Sequence, residues 1–202
     1  MDERFAPILQ VIAIMNDFPA PWFVAGGWAI DLFLEKVTRP HADVEIGIYR
    51  ADQQLIWNHL PGWNLEKAIT TPEGGKWVAW DRSEELQLPI HQIKANREDG
   101  PCREFEFFLN EQSGDSWMSR RHAGLTRPVE TVTIKSFLGI PILSPEIQLL
   151  FKAKQTRDKD QADFDHTIDC LTADQINWLR DGLKRYHPEH QWIGQLEIIS
   201  SC

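Results

Sequence analysis

A short apolar segment that ends in two glycines, followed by a strictly alternating segment, limits the folds open to this chain. Residues 22–25 are all apolar and indicate a buried strand that leads into Gly26-Gly27. Residues 43–48 then alternate, so that the apolar residues lie on one face and Asp43 and Glu45 on the other. Two such strands separated by a helical segment favour a sheet with helices packed on it.

The two acids of the second strand are spaced for binding a cation. Asp43 and Glu45 stand at positions i and i+2, so they share a face and lie about 6.5–7 Å apart along the strand. Mg²⁺ prefers oxygen ligands and typically takes one or two carboxylates together with substrate phosphates. A glycine pair lets phosphate oxygens approach the backbone N–H groups closely. An acid-x-acid strand also fits a solvated sheet face, and a glycine pair fits a turn, but their combination favours a metal and phosphate site.

Elsewhere the chain divides into early strands and late helices. Helical spacing predicts a first helix over 5–15, and two apolar segments, 90–96 and 103–109, predict a hairpin with Glu104 and Glu106 on one face. Ser144-Pro145 predicts the start of a helix in the last third. We therefore expect an α/β (α+β) fold with a mixed sheet flanked by helices. The expected division is a core over 1–135 and a C-terminal helical region over 136–202.

Composition and charge exclude some classes of function. The chain has 202 residues and a net charge of -9, which argues against a nucleic-acid binder but leaves room for an anionic small ligand. No apolar run is long enough for a transmembrane helix, so no membrane association is expected. The cysteines Cys102, Cys170 and Cys202 are odd in number and far apart, which favours reduced thiols and a cytoplasmic location. The sequence leaves the oligomeric state open.

These motifs carry a family resemblance. Val24-Ala25-Gly26-Gly27 followed by Asp43-Val44-Glu45-Ile46 resembles the signature of the nucleotidyltransferase superfamily, which has the polymerase-β-like fold. The chain is more similar still to the aminoglycoside 2''-adenylyltransferase-like branch. The segments that carry this second resemblance span most of the chain: 26–31, 38–43, 105–107, Trp117 with Arg120-Arg121, 145–154 and 159–164.

The resemblance implies a catalytic and metal-binding set of Asp43, Glu45 and Glu106. Glu106 is favoured as the third acid, with Glu104 on the same face as its rival. The chain departs from the common pattern in having Glu45 where Asp is more frequent, and Gly27 where many members have Ser. The first change keeps the carboxylate, whereas the second removes a hydroxyl from the expected phosphate contact.

The resemblance also implies a nucleotide-binding set of Gly26, Gly27, Arg39 and Lys154. Lys154 is preferred over Lys152 because it falls on the apolar stripe of its predicted helix. Other basic residues, among them Arg120-Arg121, form a local excess suited to phosphate. His41 is a candidate for orienting Asp43.

The function implied is Mg²⁺-dependent transfer of AMP from ATP to a hydroxyl of a small acceptor, which an aminoglycoside-like compound would fit. Two alternatives stay open at this point. One is nucleotidylation of a protein or RNA target, as in toxin–antitoxin pairs. The other is a non-catalytic nucleotide-binding regulatory module.

Overall fold

A mixed β-sheet organises the protein in the computed structural model, which describes residues 3–72, 74–122 and 124–200. Its strands are β1 Trp22–Ala25, β2 Glu45–Tyr49, β3 Asn64–Thr71, β4 Gly74–Ala79, β5 Gln92–Asn96, β6 Glu104–Ser113, β7 Ser116–Met118, β8 Thr126–Pro128, β9 Thr133–Lys135 and β10 Pro141–Leu143. The main order is β4-β3-β5-β6-β2-β1-β10-β9, with β7 and β8 extending from β6. Two pairings, β1 with β10 and β2 with β6, are parallel, and the others are antiparallel.

Helices cover both faces of the sheet. They are α1 Ala6–Met15, α2 Gly26–Phe33, α3 Leu55–His59, α4 Pro145–Ala153, α5 Asp158–Thr167, α6 Ala173–Tyr186 and α7 Trp192–Ser200. On one face the apolar residues of β2 pack against α1 and α2 in the largest hydrophobic cluster. On the other face Phe23 of β1 and Leu143 of β10 pack against Ile147 of α4. The predicted mixed sheet flanked by helices is therefore confirmed.

The C-terminal helices form a core of their own. Ile30 of α2 joins this core with Leu150 of α4, and the rings of Phe164 and Trp192 stack at a centroid distance of 4.2 Å. Helix α4 begins after Ser144 as predicted, although the Ser144 hydroxyl makes no capping hydrogen bond to it. The core holds α4 against α2, which begins at the glycine pair.

The predicted hairpin is confirmed as β5 and β6, whereas several strands were not predicted. The segments β3, β7, β8, β9 and β10 lack a clear alternation of their own, and four of these five are three residues long. Strand β10 belongs to the sheet but lies beyond residue 135, so the proposed division at that residue stays a prediction. In the described ranges, no helix combines the length and apolar character needed to cross a bilayer.

Candidate active site

The junction of β1 and α2 requires glycine at position 26. Gly26 has a φ of +67°, in the left-handed region where side chains are unfavourable. A Cβ at this position would lie closer than 3.0 Å to the carboxylate of Glu45. The backbone N–H of Gly26 donates to Oε1 of Gln148 on α4 at 2.8 Å. The turn therefore fits against Glu45, and its first amide is already bound by a side chain of the C-terminal region.

Gly27 makes room for a cluster of polar residues on the other side of the turn. A Cβ there would overlap the side chains of His41 and Arg39. Nε2 of His41 lies 2.5 Å from Asp31, and its Nδ1 lies 3.1 Å from Arg39. Both ring nitrogens are thus in use, so the prediction that His41 orients Asp43 is wrong.

Two of the predicted acids stand side by side in the centre of the sheet. Glu45 on β2 and Glu106 on β6 are direct partners in the parallel ladder. Glu106 is 8% exposed and accepts a hydrogen bond from Gln92 on its Oε2. The rival Glu104 is exposed and lies 3.4 Å from Lys94 in an ion pair. Asp43 precedes β2 and is exposed to solvent.

The acids are electrostatically coupled. Burial, followed by the charges of Asp43 and Glu106, raises the pKa of Glu45 to about 7. Burial also raises the pKa of Glu106, where the hydrogen bond from Gln92 opposes the shift and Asp43 adds to it. Neighbouring carboxylates repel one another when they are ionised, and a bound cation would relieve this repulsion.

This donor set fits Mg²⁺ in part. Among the residues that the structure describes, no three His, Cys, Asp or Glu side chains gather closely enough to form a metal site by themselves. Mg²⁺, however, usually binds through one or two carboxylates and completes its shell with water and substrate phosphates. Adjacent oxygen donors with raised pKa values therefore fit a cation that arrives with a nucleotide.

A cleft of about 720 Å³ opens beside Glu45, whereas Asp43 and Glu106 lie outside its lining. Gly26, Glu45, Phe108 and Gln148 contribute to one part of its lining. Basic residues make up much of the remainder: Arg120, Arg121, Lys152, Lys154 and Arg157. An acidic edge next to a basic wall matches the requirements of a metal-bound polyphosphate.

Lys152 of α4 and Lys154, which follows the end of α4, differ from the prediction in which of them is buried. Lys152 is buried, and its Nζ lies 2.9 Å from Asp160 and 2.8 Å from Asp163. Lys154, which was expected on the inward stripe, is exposed. Both lysines line the cleft, so the role of Lys154 as a phosphate ligand stays a prediction.

Arg39 lies outside the cleft lining. Its Nε and Nη2 donate to the two carboxylate oxygens of Asp163, each at 2.9 Å. Nucleotide binding by Arg39 would require this pair to open, and this role also stays a prediction.

Two residues near the cleft, Gln148 and Asp163, received no role from the sequence, whereas Arg120 was noted only as part of a basic excess suited to phosphate. Gln148 binds the Gly26 turn, Asp163 joins Arg39 to Lys152, and Arg120 lines the basic wall. The available signal was the placement of Gln148 and Lys152 four residues apart, since it puts two polar residues on one face of an apolar helix. Asp163 gave no local signal, because its partner Arg39 is 124 residues away.

Two solved antibiotic adenylyltransferases share the fold. The lincomycin-bound crystal structure of lincosamide antibiotic adenylyltransferase LnuA has a TM-score of 0.54 and 17% identity, covering 85% of this chain and 98% of that one. The solution structure of the antibiotic-resistance factor ANT(2'')-Ia has a TM-score of 0.54 and 15% identity, and the match covers 100% of this chain and 99% of that one.

A crystal structure of ANT(2")-Ia in complex with adenylyl-2"-tobramycin gives a TM-score of 0.51 at 13% identity, over 90% of this chain and 97% of that one. No curated protein sequence gave a significant match. The sequence model of the aminoglycoside-2''-adenylyltransferase family, in contrast, matches residues 7–167. This match spans the glycine turn, all three acids and the cations of α4, and the chain belongs to the aminoglycoside-2''-adenylyltransferase family.

Proposed function

We propose that this protein is a Mg²⁺-dependent adenylyltransferase that moves AMP from ATP to a hydroxyl group of a small, aminoglycoside-like acceptor. The observation that carries this proposal is that Glu45, the ladder partner of Glu106, lines a cleft together with five basic residues. Family membership supports the class of reaction, since the matching model is that of an adenylyltransferase family.

In this reaction the acceptor oxygen forms a bond to the α-phosphorus of ATP, the bond to pyrophosphate breaks, and the hydroxyl proton must leave. We assign Asp43 and Glu45 to hold Mg²⁺, which would neutralise the charge of the triphosphate. Glu106 completes the acidic set. It would receive the hydroxyl proton on Oε1, because its Oε2 already accepts from Gln92.

The groups around the acids would orient the nucleotide. Gly26 lets the backbone lie close to Glu45, and Gly27 lets it lie close to His41 and Arg39. Lys154 provides a positive charge at the cleft. The amide of Gly26 is engaged by Gln148, so this glycine would act through close approach rather than through its N–H donor.

A cationic acceptor suits the sheet face next to Glu106. Glu106 of β6 pairs with Lys94 of β5, which in turn pairs with Glu66 of β3. Glu104 lies two residues before Glu106 in β6 and therefore on the same face of the sheet. Acids outnumber bases on this face, which favours an acceptor with amino groups. The expected cytoplasmic location, with Cys102 and Cys170 as free thiols, is part of the same proposal.

Calorimetric binding of a non-hydrolysable ATP analogue, with Mg²⁺ and with EDTA, tests the proposed site. We expect binding that requires Mg²⁺ and that weakens in Asp43→Asn. Asp43 is exposed, so this variant should fold normally. Asp99→Asn is the matched control, because Asp99 is an exposed aspartate in the loop between β5 and β6 and is not next to Glu45 in the sequence. Equal, Mg²⁺-independent binding in all three proteins would contradict the proposal.

A further inference from the structure

The basic residues of the cleft differ in how far their charges are already balanced. Lys152 is paired with two aspartates, and Nε of Arg157 lies 2.7 Å from Asp160. Arg121 donates to the carbonyl oxygen of Phe151 at 3.0 Å. These residues therefore have partners before any nucleotide arrives.

Arg120 differs from these residues in having no such ion pair or hydrogen bond in the described part of the chain. It is half-buried in the wall of the cleft, and its guanidinium carbon lies 5.9 Å from the ring centre of Phe108. Within the described ranges its guanidinium has no hydrogen-bond or ion-pair partner, although it carries five N–H donors. Burial, together with the neighbouring charge of Arg121, lowers the pKa of Arg120 to about 10. A desolvated, unpaired guanidinium gains more from an incoming anion than a cation that is already paired.

The position of Arg120 relates it to the acids. Phe108, beneath its guanidinium, is two residues from Glu106 on β6 and on the same face, a step of about 6.5–7 Å. The negative charge of Glu45 acts to raise the pKa of both Arg120 and Arg121, against the effect of burial. A triphosphate lying between the acids and Arg120 would have its reacting end at Glu45 and Glu106 and its tail at the guanidinium.

We infer that Arg120 binds the β- and γ-phosphates of the nucleotide through paired N–H donors and stabilises the pyrophosphate as it leaves. This assignment rests on the proposed function, and it gives the main phosphate contact to Arg120 in place of Lys154 or Arg39. Lys154 is exposed and keeps its hydration, and Arg39 is committed to Asp163. The planar fork of an arginine suits two phosphate oxygens better than a lysine does.

The test compares ligands with and without phosphates. Calorimetry would measure binding of the ATP analogue, inorganic tripolyphosphate and adenosine, with and without Mg²⁺, to the wild type and to Arg120→Gln, Arg120→Lys and Arg82→Gln. Arg82 is the matched control, because it is an exposed arginine outside the cleft that is hydrogen-bonded to Asn58. Thermal unfolding would verify that each variant is folded, and Arg120→Lys keeps the charge while removing the fork.

We expect Arg120→Gln to weaken the ATP analogue and tripolyphosphate by about 10- to 100-fold and to leave adenosine unchanged. Arg120→Lys should fall between this variant and the wild type, and Arg82→Gln should match the wild type. Unchanged tripolyphosphate binding in folded Arg120→Gln, or equal weakening of adenosine, would overturn the inference. A different result would be a wild type that binds tripolyphosphate through Arg120 and yet transfers no AMP to any acceptor. That result would support the inference about Arg120 and contradict the proposed function.

Discussion

At the scale of single residues, the site depends on how closely backbone and side chains approach one another. Gly26 combines a left-handed φ with the absence of a Cβ next to Glu45. The acid it faces has a raised pKa because it is buried next to two further carboxylates. Small changes at either residue should therefore affect the cleft directly.

Gly26→Ala should be destabilised and should lose activity. The left-handed conformation alone costs an alanine about 1–2 kcal/mol, and the new methyl group would also displace Glu45. Gly62→Ala is the matched control, since Gly62 has a φ of +81° and a methyl group there would meet no described atom within 4 Å. Urea unfolding and AMP transfer measure the two effects. Similar losses of stability in both variants, with normal transfer in Gly26→Ala, would contradict the expected contact with Glu45.

Glu106→Gln should reduce AMP transfer by about 10²-fold or more, as expected on loss of a general base. Glu104→Gln should have a much smaller effect, because Glu104 is exposed and paired with Lys94. Initial rates of pyrophosphate release at saturating ATP measure both variants. A larger loss in Glu104→Gln than in Glu106→Gln would reverse the assignment of the third acid.

The sequence indicated the candidate acids and the basic residues of the cleft, but it did not indicate which lysine is buried. Alternation placed Asp43 and Glu45 on one face, and the hairpin pattern placed Glu104 and Glu106 on one face of their strand. The family resemblance then favoured Glu106 over Glu104. Helical spacing assigned Lys154 to the inward face, yet Lys152 is buried because Asp160 and Asp163 neutralise its charge. Such pairing depends on a second helix, which a local pattern does not reveal.

At the scale of elements, a buried ionic network joins α2, α4 and α5. Asp31 holds His41, which contacts Arg39, and Asp163 then links Arg39 to Lys152. Asp163 is fully buried on α5. The network therefore connects the cleft to the helix that begins at the glycine pair.

Asp163→Asn should destabilise the protein by about 3 kcal/mol, because it removes the carboxylate charge that Arg39 shares with the buried Lys152 and leaves Lys152 with Asp160 alone. Asp165→Asn provides a control on the same helix, since Asp165 is exposed and accepts a hydrogen bond from Gln161. Urea unfolding followed by circular dichroism measures both changes. Equal free energies of unfolding for the two variants would mean that the network contributes little to stability.

Asp160 makes the stability of α4 and α5 sensitive to acid. Burial opposes its ionisation, but the hydrogen bonds from Arg157 and Lys152 outweigh it and lower its pKa to about 2. The folded pKa is below the usual value of about 3.9, so its contribution is present above about pH 4 and is lost as the pH falls toward 2. The unfolding free energy of Asp160→Asn should therefore change less than that of the wild type between about pH 5 and 2. Parallel pH profiles would contradict the lowered pKa.

The longer elements could be predicted, whereas the short strands at the edge could not. Helix α1 and the β5–β6 hairpin have clear periodicity over five residues or more. Strands β9 and β10 are three residues each, which is too short for a pattern, and β10 is fixed by parallel pairing with β1 more than 100 residues earlier. Long-range pairing of this kind is a property of the folded chain.

At the scale of the whole molecule, an acidic protein presents a basic wall at one cleft. The net charge is -9, yet five cations line the cavity beside Glu45. Such local concentration supports the proposal of a small anionic ligand rather than a long nucleic acid. It agrees with a nucleotide as one substrate and with an amine-rich acceptor on the acidic sheet face.

Mass spectrometry of the acceptor tests the central claim most directly. The protein would be incubated with ATP, Mg²⁺ and a panel that includes tobramycin and lincomycin, in parallel with Glu106→Gln and an EDTA control. We predict that one acceptor class gains a single AMP unit with the wild type and that the product is absent from both controls. An unmodified panel from a wild-type protein that binds Mg²⁺–ATP, or the same yield from Glu106→Gln, would contradict the account.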